Sequence, residues 1–343
     1  MFRNERELFM MNRRTFTAGA AAFASIGILR FPAGAAEFTY KYGNDNPETH
    51  PANIRMKEVA AKIKDETGGR FELQVFPNNQ LGGDTAMLTQ LRSGAVQFLT
   101  FPDTILASIV PVAAINGMGF IFENYSHVWQ AMDGQLGAYV RSQIQGAGLY
   151  AFEKEWNNGF RQITSSTHPI DKVTDLDGFK IRVPVSPLVL SLFKSLGASP
   201  TPINFSEVYT SLQTHVVDGQ ENPVALIETA HLYEVQKYLS LTNHMWNGYW
   251  FLANNDAWTK LPKQIRDIVE KNVNAGAVLE RADIETSNAS DVKELAGKGL
   301  TVNTPDRAPF KKRLSDSGFY KQWHATYGDK AWEALEKYTG PLG

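Results

Sequence analysis

A chain of 343 residues, 43% hydrophobic and 20% charged, is long enough for one large or two medium domains around a sizeable core. Its 34 basic and 36 acidic side chains give a net charge of −2, with no basic field for nucleic acid. Cysteine is absent, which excludes disulfides, thiolate metal sites, cysteine nucleophiles and dithiol redox chemistry, and the seven histidines show neither HxH nor HExxH.

The first 36 residues read as an export signal. Asn12-Arg13-Arg14-Thr15-Phe16 precedes an apolar stretch from Ala18 to Leu29 and a small-residue site at Ala33-Gly34-Ala35-Ala36. The stretch is too short to span a bilayer, which needs roughly 20 residues. The paired arginines point to the twin-arginine route, with the general secretory route as the alternative. Removing residues 1–36 takes away five arginines and two glutamates, leaving a net charge of −5 and a periplasmic destination.

Downstream, strands alternate with helices. Phe38–Tyr42 alternates with period two, then Pro51 opens a helix with Met56, Val59, Ala60 and Ile63 on one face, closed by Gly68-Gly69. A second strand follows at Phe71–Phe76. Asp84 reads as the N-cap of a helix ending at Gly94, and Val96–Phe101 as a third strand. The order strand–helix–strand–helix–strand predicts a parallel α/β sheet with right-handed crossovers. The same grammar restarts at Leu149–Glu153 and Phe179–Val183, with helices from Ser186 to Gly197 and from Ser206 to Val217. From Lys263 to Ala296 there is no proline and one glycine, so the apolar spacing predicts a single helix of roughly 50 Å. Two helices broken near Gly276 or Asn288 are the alternative.

Catalytic signatures are sparse. No GxSxG, P-loop or complete GxGxxG occurs, which leaves only a triad dispersed along the chain as a hydrolytic option. Two arginines stand out instead. In Phe179-Lys-Ile-Arg182-Val-Pro184 the apolar residues take one strand face and Lys180 and Arg182 the other, and Pro184 puts Arg182 near the strand's C-terminal end. Ligands of open α/β sheets bind outside those ends. Arg161, in Trp156-Asn-Asn-Gly-Phe-Arg161, follows the strand that leaves the first unit. A guanidinium in a cleft presents a planar fork to a carboxylate, although a solvated or structurally paired arginine would look the same in sequence. Trp156 and Trp246 are candidate cleft walls, and Asn243 and His244 candidate hydroxyl contacts, while Trp250 and Phe251 read as core.

The stretches Gly178–Pro184, Leu196–Pro202, Phe205–Gln213 and Val217-Asp-Gly-Gln-Glu-Asn-Pro223, together with Phe76–Gly83 and Thr174–Gly178, resemble the solute-binding proteins of tripartite ATP-independent periplasmic (TRAP) transporters, the DctP type. Asn116-Gly-Met-Gly-Phe120 departs from the Leu-Pro-Phe usual there. The resemblance implies a non-enzymatic periplasmic receptor, without cofactor or metal, of two α/β domains closing on a small organic acid, with a long helix bridging them. It implies domain I over 37–160 and about 248–285, and domain II over 161–247 and about 286–343. The carboxylate anchor falls on Arg182, a second arginine on Arg161, a ligand-facing asparagine on Asn222 and an aromatic wall on Phe205. Asn44, Asn46 and Asp84 would face the cleft from the other domain. On the residues alone, Asn222 reads equally as a turn residue before Pro223. The implied partners are a small and a large membrane subunit, the latter ion-coupled, with the receptor itself monomeric. Among carboxylates, the many Asn and Asp residues favour a sugar acid. A receptor of an ATP-driven importer and an exported hydrolase are the alternatives.

Overall fold

The computed structural model describes residues 36–342, so the expected export signal at 1–36 lies almost wholly outside the described residues. Eleven strands form the sheet: β1 Phe38–Gly43, β2 Phe71–Phe76, β3 Phe98–Pro102, β4 Leu149–Ala151, β5 Trp156–Ser165, β6 Lys180–Val183, β7 Ser199–Pro202, β8 Gly219–Pro223, β9 Tyr238–Ser240, β10 Trp246–Asn254 and β11 Thr301–Asn303. Their order is β2-β1-β3-β10-β5-β8-β6-β7, with β4 on β10, β9 on β5 and β11 on β9.

The parallel pairings β2–β1–β3 and β8–β6–β7 make two α/β halves, as the alternation predicts. Between them run β10 and β5, antiparallel to each other and to β3 and β8 respectively. These two strands are buried along their whole length and make the crossing between the halves: β10 carries the large apolar run Tyr249–Leu252, whereas β5 sets Trp156, Phe160 and Ile163 among buried polar residues such as Asn157, Arg161 and Gln162. The register shifts between Asn247 and Gly248. A Cβ at Gly248 would lie 2.3 Å from the Glu155 carboxylate, so only glycine fits.

Lys263–Gly297 is one 35-residue helix, about 50 Å long. Gly276 does not break it. A Cβ there would come within 2.4 Å of Val59 and 3.2 Å of the Trp156 ring, so the glycine lets this helix lie close against the helix Pro51–Glu66. Ile265, Val269, Val273 and Ala277 pack there with Met56, Val59 and Ile63, whereas Leu295, nearer the other end, joins Val208, Leu212 and Leu239 of the second half. Val278 and Leu279, apolar residues of the same helix, are exposed.

Three local expectations shift. The N-cap of the helix Asp84–Ser93 is Gly83, and Asp84 is its first residue, so its side chain is free for another role. The helix expected to reach Val217 is a 3-10 turn Phe205–Glu207 followed by Val208–Gln213, because His215 takes a left-handed conformation (φ 56°) that ends it. The strand expected over 149–153 stops at Ala151. The C-terminal helix Asp329–Thr339 packs on Tyr125–Met132 and Gln135–Gly146, segments of the first half.

Candidate ligand-binding cleft

The crossing strands bring five chemically active side chains to one cavity between the halves. Arg182 on β6, Arg161 on β5, Asn222 on β8, Phe205, and Asp84 at the start of its helix all line it, and all five were expected there. The cavity leaves about 10 Å³ for the centre of a water-sized sphere, room for about one water. A multi-carbon ligand therefore enters only when the walls part.

Arg182 is fully buried. Its Nε and Nη2 donate to the Ile203 carbonyl at 2.9 and 2.7 Å, and among the described residues its Nη1 has no protein partner. The Phe205 ring lies 5.9 Å from the guanidinium carbon, close enough for a cation–π contact. Burial brings the Arg182 pKa down to about 10, with the Asp84 and Glu221 carboxylates opposing that fall, so the group stays charged at neutral pH.

Arg161 is committed differently. Its Nε donates to Glu221 Oε2, and its Nη2 donates to Glu221 Oε1 at 2.8 Å, the Glu221 carbonyl at 2.7 Å and Asn222 Oδ1 at 2.8 Å. Glu221 also accepts from His244 Nε2 at 3.1 Å. Burial pushes the Glu221 carboxyl up, but the Arg161 guanidinium and the hydrogen bonds from His244 and Arg161 outweigh it and bring the pKa down to about 2. Arg161 and Glu221 thus cancel in charge, and Arg182 carries the uncompensated positive charge on its side of the cavity. Asn222 is held between Arg161 and Gln220, to which its Nδ2 donates at 2.6 Å, so it is a placed cavity group rather than a free turn residue.

Asp84 reaches across the cleft: its Oδ2 accepts from the Phe205 backbone N–H at 3.2 Å. Beside it stands Asp45, which the sequence did not single out. Burial first, and the Asp84 carboxylate second, push Asp45 up to about 8. Burial also raises Asp84. Asp45 Oδ1, Asp84 Oδ1, Thr104 Oγ1 and Asn158 Oδ1 are buried oxygens without a hydrogen-bond partner, all on cavity-lining residues.

Six expected site residues lie outside the cavity lining. Trp156 is core, in one cluster with Val59 and close against Gly276. Trp246 is core as well, edge-on to Trp129 at 5.3 Å, its Nε1 donating to Asn157 at 2.9 Å. Trp156 opens β5 and Trp246 opens β10, and both indoles are buried there. Asn243 pairs with Gln162, accepting from its Nε2 at 2.6 Å. Asn44 bonds Asn53 at 2.7 Å and accepts from the Asn46 N–H at 3.0 Å, so it shapes the turn that presents Asp45. Asn46 accepts from Tyr249, which does line the cavity. His244 supports Glu221 from behind. Among the described residues, no group of three or more His, Asp or Glu side chains is arranged to hold a metal ion.

Residues 42–322 match the family model described as bacterial extracellular solute-binding protein, family 7 (DctP). The chain belongs to that family. It is 32% identical over 307 residues to the sialic acid-binding periplasmic protein SiaP of Vibrio cholerae, covering 89% of this chain and 95% of that protein. A TRAP periplasmic solute-binding protein from Roseobacter denitrificans, solved with bound L-galactonate, superposes with a TM-score of 0.82 at 30% identity, covering 89% of this chain and 99% of that one. A longer relative from Sinorhizobium fredii, y4mM, is 32% identical over 306 residues, but the chain spans 56% of its length. Family membership makes this a solute-binding protein rather than an enzyme, so neither the dispersed-triad hydrolase nor the receptor of an ATP-driven importer fits. No helix of the described residues is long and apolar enough to cross a membrane.

Proposed function

We propose that the protein is a periplasmic receptor for a polyhydroxylated monocarboxylate, a sugar acid, which it hands to the small and large membrane subunits of a TRAP transporter. One observation carries this reading. A buried guanidinium with an uncommitted Nη1 faces four buried oxygens that have no partner. A carboxylate satisfies the first, and hydroxyl hydrogens satisfy the others. A second carboxylate on the ligand would face the buried Asp45 and Asp84 side chains rather than a further cation, with nothing there to neutralise it, which favours one acid group and several hydroxyls. That SiaP is named for sialic acid and the Roseobacter protein holds L-galactonate supports the same class. Delivery as a monomer, export of residues 1–36 by the twin-arginine route and hinging of domain I against domain II, with the C-terminal helix Asp329–Thr339 moving with domain I rather than with domain II, complete the reading.

A melting screen against an organic-acid panel tests it. A true ligand at about 100 times its dissociation constant adds roughly 2.7 kcal/mol of stability. Calorimetry with the best acid then reads Arg182→Ala. Removing one partner of a buried charge pair costs roughly 2–5 kcal/mol, an affinity loss of at least about 30-fold. Arg182→Lys is expected to bind poorly too, since an ammonium lacks the fork. Retention of affinity within about threefold in Arg182→Ala, far less than that loss, removes Arg182 as the anchor.

A further inference from the structure

A second hollow adjoins the arginine cavity on the rim of the cleft. It offers about 370 Å³, and its walls come from both halves: Pro47, Thr49, Asn78 and Asn79 on one side, Ser206, Tyr209, Thr229 and Ala230 on the other. Phe205 is the single residue common to the two linings. The walls are otherwise continuous. One loop supplies Asp45 to the cavity and Pro47 to the groove, and Leu226 lines the cavity while Thr229 and Ala230, three and four residues on, line the groove.

The chemistry changes across that partition. The groove lining contains no lysine, arginine, aspartate or glutamate; it offers amides and hydroxyls over the apolar faces of Phe205 and Pro47. The Asn79 Oδ1 is buried there without a partner. Three of the six non-glycine residues with positive φ among those described, Asn78 (53°), Asn79 (57°) and His231 (55°), line this groove, two on one side and His231 on the other. Left-handed non-glycine backbone costs free energy and collects at ligand clamps. The Asn78 and Asn79 amides are pinned to the carbonyls of Asn46 and Asn44, so the groove wall and the turn carrying Asp45 form one piece.

We propose that this groove is a second subsite that takes a neutral, hydroxyl-bearing extension of the acid, a glycosyl unit, while the carboxylate sits on Arg182. The half-buried Phe205 ring is the door: its backbone is held by Asp84, and rotation of the side chain joins the two spaces. The subsite rests on the sugar-acid reading above. It makes the receptor competent for aldobionates, in which a neutral sugar is linked to an aldonate.

The test compares gluconate with lactobionate and maltobionate, two glycosylated gluconates, by calorimetry on the full mature chain. At least one aldobionate is expected to match or exceed gluconate in affinity. Ala230→Trp fills the groove and is expected to weaken that aldobionate by about tenfold or more while leaving gluconate within about threefold. Ser206→Trp replaces it should Ala230→Trp not fold. Phe205→Ala is expected to raise the ratio of aldobionate to gluconate affinity. Aldobionates that bind about tenfold more weakly than gluconate, or a filled groove that affects both ligands alike, overturn the subsite. So does failure of all three sugars when another acid of the panel binds. Failure of every acid, small or extended, instead overturns the receptor reading, and the subsite falls with it.

Discussion

Asp45 sets the charge of the cavity. With Arg161 cancelled by Glu221, the remaining groups are Arg182, Asp84 and Asp45, and Asp45 titrates at about 8 because it is buried beside Asp84. Its folded pKa lies above the ordinary carboxylate value of about 4. Its contribution to stability is thus complete below about pH 4 and is lost as pH rises through about 8. Anion binding follows the same sign: below pH 8 the neutral acid tolerates a ligand carboxylate and can donate a proton to it, whereas above it a second negative charge repels the ligand. Affinity for the sugar acid is expected to fall as pH climbs from 7 to 9, by at most about tenfold per pH unit for one proton. Asp45→Asn should flatten that decline, as titrations at several pH values would show; an equally steep decline in the variant rules Asp45 out as its source. The sequence made Arg182 legible because strand alternation and Pro184 together fixed its place, and the family pattern agreed. It hid Asp45, because Asn44, Asp45 and Asn46 are three adjacent polar residues whose directions depend on a turn pinned by Asn53 and by the Asn78–Asn79 backbone. Trp156 and Trp246 were misplaced for the opposite reason: an indole satisfies a core and a sugar face equally well, and only the crossing of β5 and β10 decides.

At the scale of elements, periodicity read the regular pieces well and misread their punctuation. The strands at 38 and 71, the helix from Pro51 and the 35-residue helix all stand where their apolar spacing puts them. Endings were missed where tertiary contacts or a non-glycine left-handed residue such as His215 intervened. Gly276 is the sharpest case. In an exposed helix, glycine to alanine stabilises by up to about 1 kcal/mol. Here the added methyl would lie 2.4 Å from Val59, in a well-packed seam between two helices. Overpacking of that kind costs about 1–3 kcal/mol, so Gly276→Ala should lower the melting temperature rather than raise it. Combined with Val59→Ala, the alanine should cost much less than the sum of the two single changes, since the methyl then occupies the space that valine leaves. A rise in melting temperature for Gly276→Ala, or strict additivity in the double variant, would mean the two helices are not in contact at this point in solution.

The whole molecule acts through the crossing of β5 and β10 in mid-sheet. Residues from both halves surround the cavity, and the shut cleft has room for about one water, so a sugar acid binds only to a molecule whose halves have parted. Shutting without a ligand buries Asp45 Oδ1 and Asp84 Oδ1 with no partner to replace water and leaves Arg182 Nη1 unpaired, which disfavours the shut form of the free protein. The single bond from the Phe205 N–H to Asp84 across the cleft does not offset that cost. A ligand that meets Arg182 on one side and Asp45 on the other makes its full set of contacts only in the shut form, and it shifts the population by that difference in affinity. Solution scattering should therefore give a smaller radius of gyration with saturating sugar acid than without. Asp84→Ala, which removes the cross-cleft bond, should leave the free protein at least as expanded as wild type and hasten ligand release more than it slows binding, since encounter takes place in the open form. Stopped-flow rates would separate the two effects. Identical scattering with and without ligand, for an acid shown by calorimetry to bind, would mean that the halves do not hinge about β5 and β10.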